Sequence, residues 1–261
     1  MAGLSRGARL FATTTVTLVA FTGCDASAKQ SSPAYETTAR FPHDSAAYTQ
    51  GLLRADGVLF ESTGQYGHSD IRRVDMTTGR VLASRSIAAN RFGEGLALYH
   101  NRLYQLTWKA GIAYTYDPAT LTPRDSLSYP GQGWGLATDG TSLIMSDGSD
   151  SLRFLTPETF QTRRVVHVRY NGAPLYQLNE LEYLNGEILA NVYGSNWVIR
   201  IDPATGIVRQ AIDFADLYPD RPASAEVMNG IALAPDGKQL LLTGKYWPVM
   251  FQVRLKPPAR P

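Results

Sequence analysis

Glu94 lies in the stretch Phe92-Gly93-Glu94-Gly95-Leu96, whose apolar and aromatic neighbours suit a carboxylate that carries protons. Burial among such side chains lifts a carboxyl pKa toward roughly 6–7, where it both takes and returns a proton efficiently. The same position in four other stretches holds Gln50, Trp134, Asn179 and Asn229. A second series, 14 to 16 residues further along each stretch, holds Gly64, Trp108, Gly148, Tyr193 and Lys245. Together these positions offer one acid/base, one cation and several amides. Phe92, Trp108, Trp134, Tyr193 and Trp247 add a wall of rings. Apolar walls with few convergent polar groups are the make-up of a small-molecule site. Asn179 or Lys245 suits donation to an oxygen that gains negative charge during reaction, a contact worth about 10²–10³ in rate.

Such residues act together only if a repeated element brings them to one place. The openings Gln50-Gly51-Leu52, Glu94-Gly95-Leu96, Trp134-Gly135-Leu136, Asn179-Glu180-Leu181 and Asn229-Gly230-Ile231 recur at steps of 44, 40, 45 and 50 residues. A period of about 40–50 is the mark of a propeller-like array. Asp56-Gly57, Asp139-Gly140, Asn185-Gly186 and Asp236-Gly237, with Asn101-Arg102 in the second unit, predict a two-residue hairpin turn in each unit, both positions at positive φ. A later turn recurs as Asp75 to Gly79, Asp117 to Thr120, Thr156 to Thr159 and Asp202 to Gly206. Each unit therefore reads as four antiparallel strands, a propeller blade.

The fifth unit, Asn229 to Leu255, has room for three strands, and the extended segment Tyr35 to Phe41 is expected to supply the fourth. The sequence thus predicts an all-β, five-bladed propeller over residues 35–261, closed by an N-terminal strand that leaves no open ring edge. In an antiparallel blade the start of strand one and the end of strand two share a face, so both series should ring one mouth of the central channel.

The 261 residues are 44% apolar and 18% charged, enough for one sizeable core. Net charge is +2 without a basic run, which argues against a nucleic-acid partner. Arg6 and Arg9 precede an apolar stretch, Leu10 to Phe21, shorter than a membrane span but suited to a secretory signal. It ends at Phe21-Thr22-Gly23-Cys24, which resembles a lipoprotein processing site. Residues 1–24 are read as a signal peptide and 25–34 as a linker, with lipidation of Cys24 anchoring an exported, periplasmic protein. An ordinary cleavage at Ala26-Ser27-Ala28 is the other reading. The chain is expected to act as a monomer.

Seven strings carry a family resemblance. They are Tyr48-Thr49-Gln50-Gly51-Leu52, Glu61 to Gly67, Phe92 to Leu96, Leu106 to Lys109, Gly133-Trp134-Gly135-Leu136, Leu178 to Glu182 and Thr243 to Pro248. In this order, from about Phe41 to Val253, the chain resembles the plant-type glutaminyl cyclases, or glutamine cyclotransferases, a family with bacterial members. The resemblance implies a five-bladed propeller that converts the N-terminal glutamine of peptides to pyroglutamate and releases ammonia, without the zinc of the animal-type enzyme. It implies Glu94 as the acid/base, with Gln50, Phe92, Trp108, Trp134, Asn179 and Lys245 lining the pocket. Tyr193 departs from the tryptophan usual in the plant enzymes, which bears on substrate affinity rather than on reaction class.

That chemistry asks for the same residue types. A free α-amine has a pKa of about 8 and must lose a proton before it attacks its own γ-carboxamide. The departing nitrogen must gain one, so a single carboxylate serves both transfers. No cofactor is expected: His43, His68, His100 and His167 lack metal-ligand spacing, and Cys24 is the only cysteine. Two alternatives remain open on sequence alone. A calcium-dependent lactonase-like propeller would use Glu94, Asn179, Asn229 and Asp147, and a non-catalytic propeller would bind peptide or glycan on the same face.

Overall fold

Short strands joined by tight turns fill residues 34–256, the part of the chain that the computed structural model describes. The signal segment, Cys24 and most of the linker lie outside the described residues. After β1 (Tyr35–Pro42), one blade comprises β2 (Thr49–Ala55), β3 (Val58–Thr63), β4 (Asp70–Val74) and β5 (Val81–Ser86). The second comprises β6 (Gly93–Tyr99), β7 (Arg102–Thr107), β8 (Ile112–Tyr116) and β9 (Pro123–Ser128). The third comprises β10 (Leu136–Thr138), β11 (Leu143–Met145), β12 (Ser151–Leu155) and β13 (Thr162–His167). A small ribbon, β14 (Arg169–Tyr170) and β15 (Ala173–Pro174), leads to the fourth blade: β16 (Leu178–Leu184), β17 (Glu187–Val192), β18 (Trp197–Ile201) and β19 (Val208–Asp213). In the fifth, β20 (Met228–Leu233), β21 (Leu240–Gly244) and β22 (Val249–Leu255) are completed by β1, which pairs antiparallel with β22 from Tyr35↔Leu255 to Pro42↔Val249.

The expected five-bladed propeller is therefore present, with the N-terminal strand as the outer strand of its last blade. Innermost strands are almost wholly buried whereas β5 and β9 are largely exposed, the radial order expected when strand one lines the axis. β2 packs against β6, β6 against β10, β10 against β16, β16 against β20 and β20 against β2, so the ring is continuous. Side chains such as Leu189, Ile231, Leu242 and Phe251 fill the space between the fourth and fifth blades.

The hairpin turns divide into two kinds. Asp56-Gly57 and Asn185-Gly186 have both residues at positive φ, as expected. In the second unit that turn is His100-Asn101, at φ 42° and 57°, one residue earlier than Asn101-Arg102. At Asp139 and Asp236 only the glycine is at positive φ, and the aspartate instead accepts backbone N–H bonds from Thr141 and Ser142, and from Lys238 and Gln239. A side chain that hydrogen-bonds its own turn removes the need for a second left-handed residue.

A β-bulge re-aims the start of the innermost strand in four blades. Registers shift at Thr49/Gly51, Gly93/Leu96, Leu178/Leu181 and Met228/Ile231, the positions of Gln50, Glu94, Asn179 and Asn229. A bulge bends the strand and turns a side chain out of alternation, a device common beside active sites. Glycine is required next to it at Gly135, where an added Cβ would fall 1.9 Å from the Asn179 carbonyl oxygen. Inner strands could not approach so closely with a side chain there.

The seam between first and last blades is closed by a buried charge pair. His43 Nε2 donates to Glu61 Oε1 at 3.0 Å and Nδ1 donates to the Trp247 carbonyl at 2.6 Å, so both ring nitrogens carry hydrogen and the ring is an imidazolium. Thr49 Oγ1 also donates to Glu61, at 2.7 Å. Burial alone would push His43 down, but Glu61 overrides it and holds the imidazole above 6.5. Burial would likewise raise Glu61, and His43, with Arg72, holds it below 4.5. The His43 contribution is complete below pH 6.5 and fades as pH rises through its raised folded value. That of Glu61 is complete above pH 4.5 and fades as pH falls through its lowered one. Both act fully only between those limits. Replacing His43 with Leu should cost about 3–5 kcal/mol because Glu61 is left buried and uncompensated. Urea midpoints of wild type and variant at pH 5.5, where His43 and Glu61 are both ionised in the wild type, test this, and a loss below about 1 kcal/mol would contradict the assignment.

Candidate active site

At the mouth formed by the starts of the innermost strands lies a cavity of about 270 Å³, near the low end for ligand pockets and suited to a single residue. It is lined by Tyr48, Gln50, Phe92, Glu94, Trp108, Trp134, Asn179, Tyr193 and Lys245. Eight of the nine residues expected in catalysis or substrate binding are thus brought together. Gln50, Glu94 and Asn179 arrive from the bulged starts of β2, β6 and β16. Trp108, Tyr193 and Lys245 follow the ends of β7, β17 and β21.

The aromatic wall consists of two runs of packed rings. Tyr48 meets Phe92 edge-on at 5.9 Å, Phe92 meets Trp108 at 5.7 Å and Trp134 meets Tyr193 at 5.7 Å, all steeply inclined. Lys245 closes the circle, its Nζ 4.4 Å from the Tyr48 ring centre and 5.0 Å from that of Tyr193. Tyr193 packs edge-on against Trp134 and is 41% exposed, so it forms the outer lip. The glycines of the second series make room for these rings: a Cβ on Gly64 would fall 2.4 Å from Phe92, and one on Gly148 2.8 Å from Trp134.

Glu94 is 4% exposed, and its carboxylate makes no hydrogen bond to any described residue. Burial pushes its pKa well above the usual carboxylate range, with the Lys245 ammonium drawing it part of the way back. Burial lowers Lys245 to about 8, with Glu94 and Glu226 opposing. Each charge thus favours the ionised form of the other. Gln50 accepts from Asn229 Nδ2 at 3.2 Å through Oε1, which fixes its amide orientation. Asn179 keeps a buried Oδ1 without a partner among the described residues.

Trp247 does not line the cavity. Tyr246 at φ 61° breaks the alternation after Lys245 and turns the next side chain into the core. There Trp247 is 2% exposed, donates Nε1–H to the Glu226 carbonyl at 2.8 Å and packs on Tyr218 and Phe251. Tyr48 takes a place on the wall that sequence reasoning did not assign. The available signal was its position two residues before Gln50, as Phe92 stands two before Glu94.

The ligand set of the lactonase alternative is not assembled. Asn229, whose Nδ2 donates to the Thr49 carbonyl and Gln50, and Asp147, which binds Ser149 and Arg153, both lie off the cavity lining that holds Glu94 and Asn179. Glu180 is structural: its two carboxylate oxygens accept Leu52 N–H at 3.2 Å and Ile231 N–H at 2.8 Å, joining three blades at the axis. Glu182 lies at a separate cavity beside Arg54, Leu98 and Thr138, near the other ends of the innermost strands.

Residues 10–255 match the family model described as glutamine cyclotransferase. The chain is 42% identical over 227 residues to a glutaminyl-peptide cyclotransferase of Arabidopsis thaliana, covering 85% of this chain and 71% of that protein. It is also similar to the crystal structure of Myxococcus xanthus glutaminyl cyclase, with a TM-score of 0.78 and 36% identity over 86% of this chain and 99% of that one.

Proposed function

The chain belongs to the glutamine cyclotransferase family, and we propose that it converts the N-terminal glutamine of peptides and proteins to pyroglutamate by a metal-independent route with Glu94 as proton carrier. The observation that carries this reading is a buried carboxyl without a protein hydrogen-bond partner among the described residues, inside an aromatic cavity of one-residue size. Glu94 takes a proton from the substrate's α-ammonium. The freed amine attacks the side-chain carboxamide carbon, forming the lactam C–N bond. The carbonyl oxygen then bears negative charge, and Lys245 or Asn179 donates to it. As the bond to the amide nitrogen breaks, Glu94 returns its proton to that nitrogen, the ring nitrogen gives up its second proton to solvent, and ammonia leaves with a neutral lactam behind. The rings hold the glutamine side chain curled so that amine and carbonyl meet, which removes much of the entropic cost of closure.

Ammonia release from a Gln-peptide by purified protein, before and after exhaustive chelation, tests this reading. Equal rates are expected. Loss on chelation with recovery on adding calcium would favour the lactonase-like alternative instead.

The same reading includes export, on the charged and apolar pattern of residues 1–24, and lipidation at Cys24. Fatty-acid label is expected on the wild type and not on Cys24→Ser; equal labelling of both would remove the anchor. Action as a monomer is part of the same reading.

A further inference from the structure

We propose that Gln132, exposed and outside the cavity lining, is a positioning residue that fixes the two indoles of the substrate wall; the inference rests on the cyclotransferase reading of that cavity. Trp108 Nε1–H donates to Gln132 Oε1 at 2.7 Å and Trp134 Nε1–H donates to the same oxygen at 3.1 Å. Two donors on one atom identify it as the amide oxygen, since the nitrogen has no acceptor to offer. The indoles come from different blades, Trp108 after β7 and Trp134 before β10, and the oxygen spans the boundary between them.

Each indole is already packed on its other side. Trp108 lies against Phe92 and carries the Lys109 Nζ 3.8 Å above its face. Trp134 rests edge-on against Tyr193 and over Gly148. What remains free is the swing of each ring toward the channel mouth, and the shared oxygen restrains both. Gln132 is itself held, because Arg153 on β12 donates from Nη2 to the Gln132 carbonyl at 2.9 Å and from Nη1 to the Pro130 carbonyl at 2.8 Å. A wall set before substrate arrives avoids the ordering cost of binding, so its loss should act on affinity more than on the chemical step.

The test compares Gln132→Leu, which removes the acceptor at similar size, with Gln132→Glu, which keeps an acceptor and loses the amide N–H groups. On one Gln-peptide, Gln132→Leu is expected to raise KM about 10-fold, the scale of two modest hydrogen bonds lost, with kcat within about 2-fold and the melting temperature unchanged. Gln132→Glu is expected to return KM to within about 3-fold of wild type, because carboxylate oxygens accept both indole donors. Quenching of indole fluorescence by acrylamide should increase in the Leu variant alone. Unchanged KM in Gln132→Leu overturns the proposal, as does a Glu variant as impaired as the Leu variant, since the N–H groups would then be the active part. A wild-type protein that turns over no Gln-peptide would fail the cyclotransferase reading itself, a result visible in the same assay.

Discussion

Glu94→Gln should lower kcat by about 10²–10⁴ while leaving the protein folded. Glutamine keeps the size and hydrogen-bonding reach of the side chain but cannot carry the proton between the two nitrogens. Little stability is at stake, because the carboxylate has no protein hydrogen bond to lose among the described residues, and a neutral amide is cheaper to bury than an ionised carboxylate. In the wild type, the acid limb of kcat/KM should lie above the ordinary carboxylate range, since burial raises the group that must be ionised to act as base. A variant that keeps more than about a third of the wild-type kcat would assign proton transfer to another group. Glu182 would not be that group, for it lies at a different cavity.

Lys245→Met should lower kcat/KM by about 10²–10³ if the ammonium holds the developing oxyanion. It should also move the acid limb to higher pH. Lys245 draws the Glu94 pKa down against burial, and without it burial acts unopposed. An alkaline limb at about 8, where Lys245 loses its charge in the wild type, should weaken in the variant. The substrate amine also titrates at about 8 and remains in both profiles, so the comparison between variants is the informative one. Full pH profiles of kcat/KM for the two proteins decide it. A loss under about 3-fold with an unmoved acid limb would transfer the oxyanion to Asn179, which also lines the cavity and carries amide N–H donors suited to it.

The sequence carried the ring positions because a repeat equates residues that are far apart. Once Gln50, Glu94 and Asn179 occupy one register, their convergence at a channel mouth follows from strand direction alone. The closing strand was legible from counting, since three strands in the last unit demand a fourth. What the sequence did not display was local backbone geometry. The bulges that aim the ring residues are a register effect between partner strands, invisible along either strand. Trp247 was misplaced because positive φ at Tyr246, a residue type that seldom adopts it, redirects the chain. Gln132 gave no signal, since its role depends on where two indoles of different blades end up.

The central claim is cyclisation, and the mass of one product tests it most directly. A Gln-peptide incubated with the purified protein should lose the mass of one ammonia and become resistant to Edman degradation, with Glu94→Gln giving the same product far more slowly. An unchanged peptide from a folded protein would contradict the account, and so would a glutamate-terminated peptide, in which water has replaced ammonia and no ring has formed.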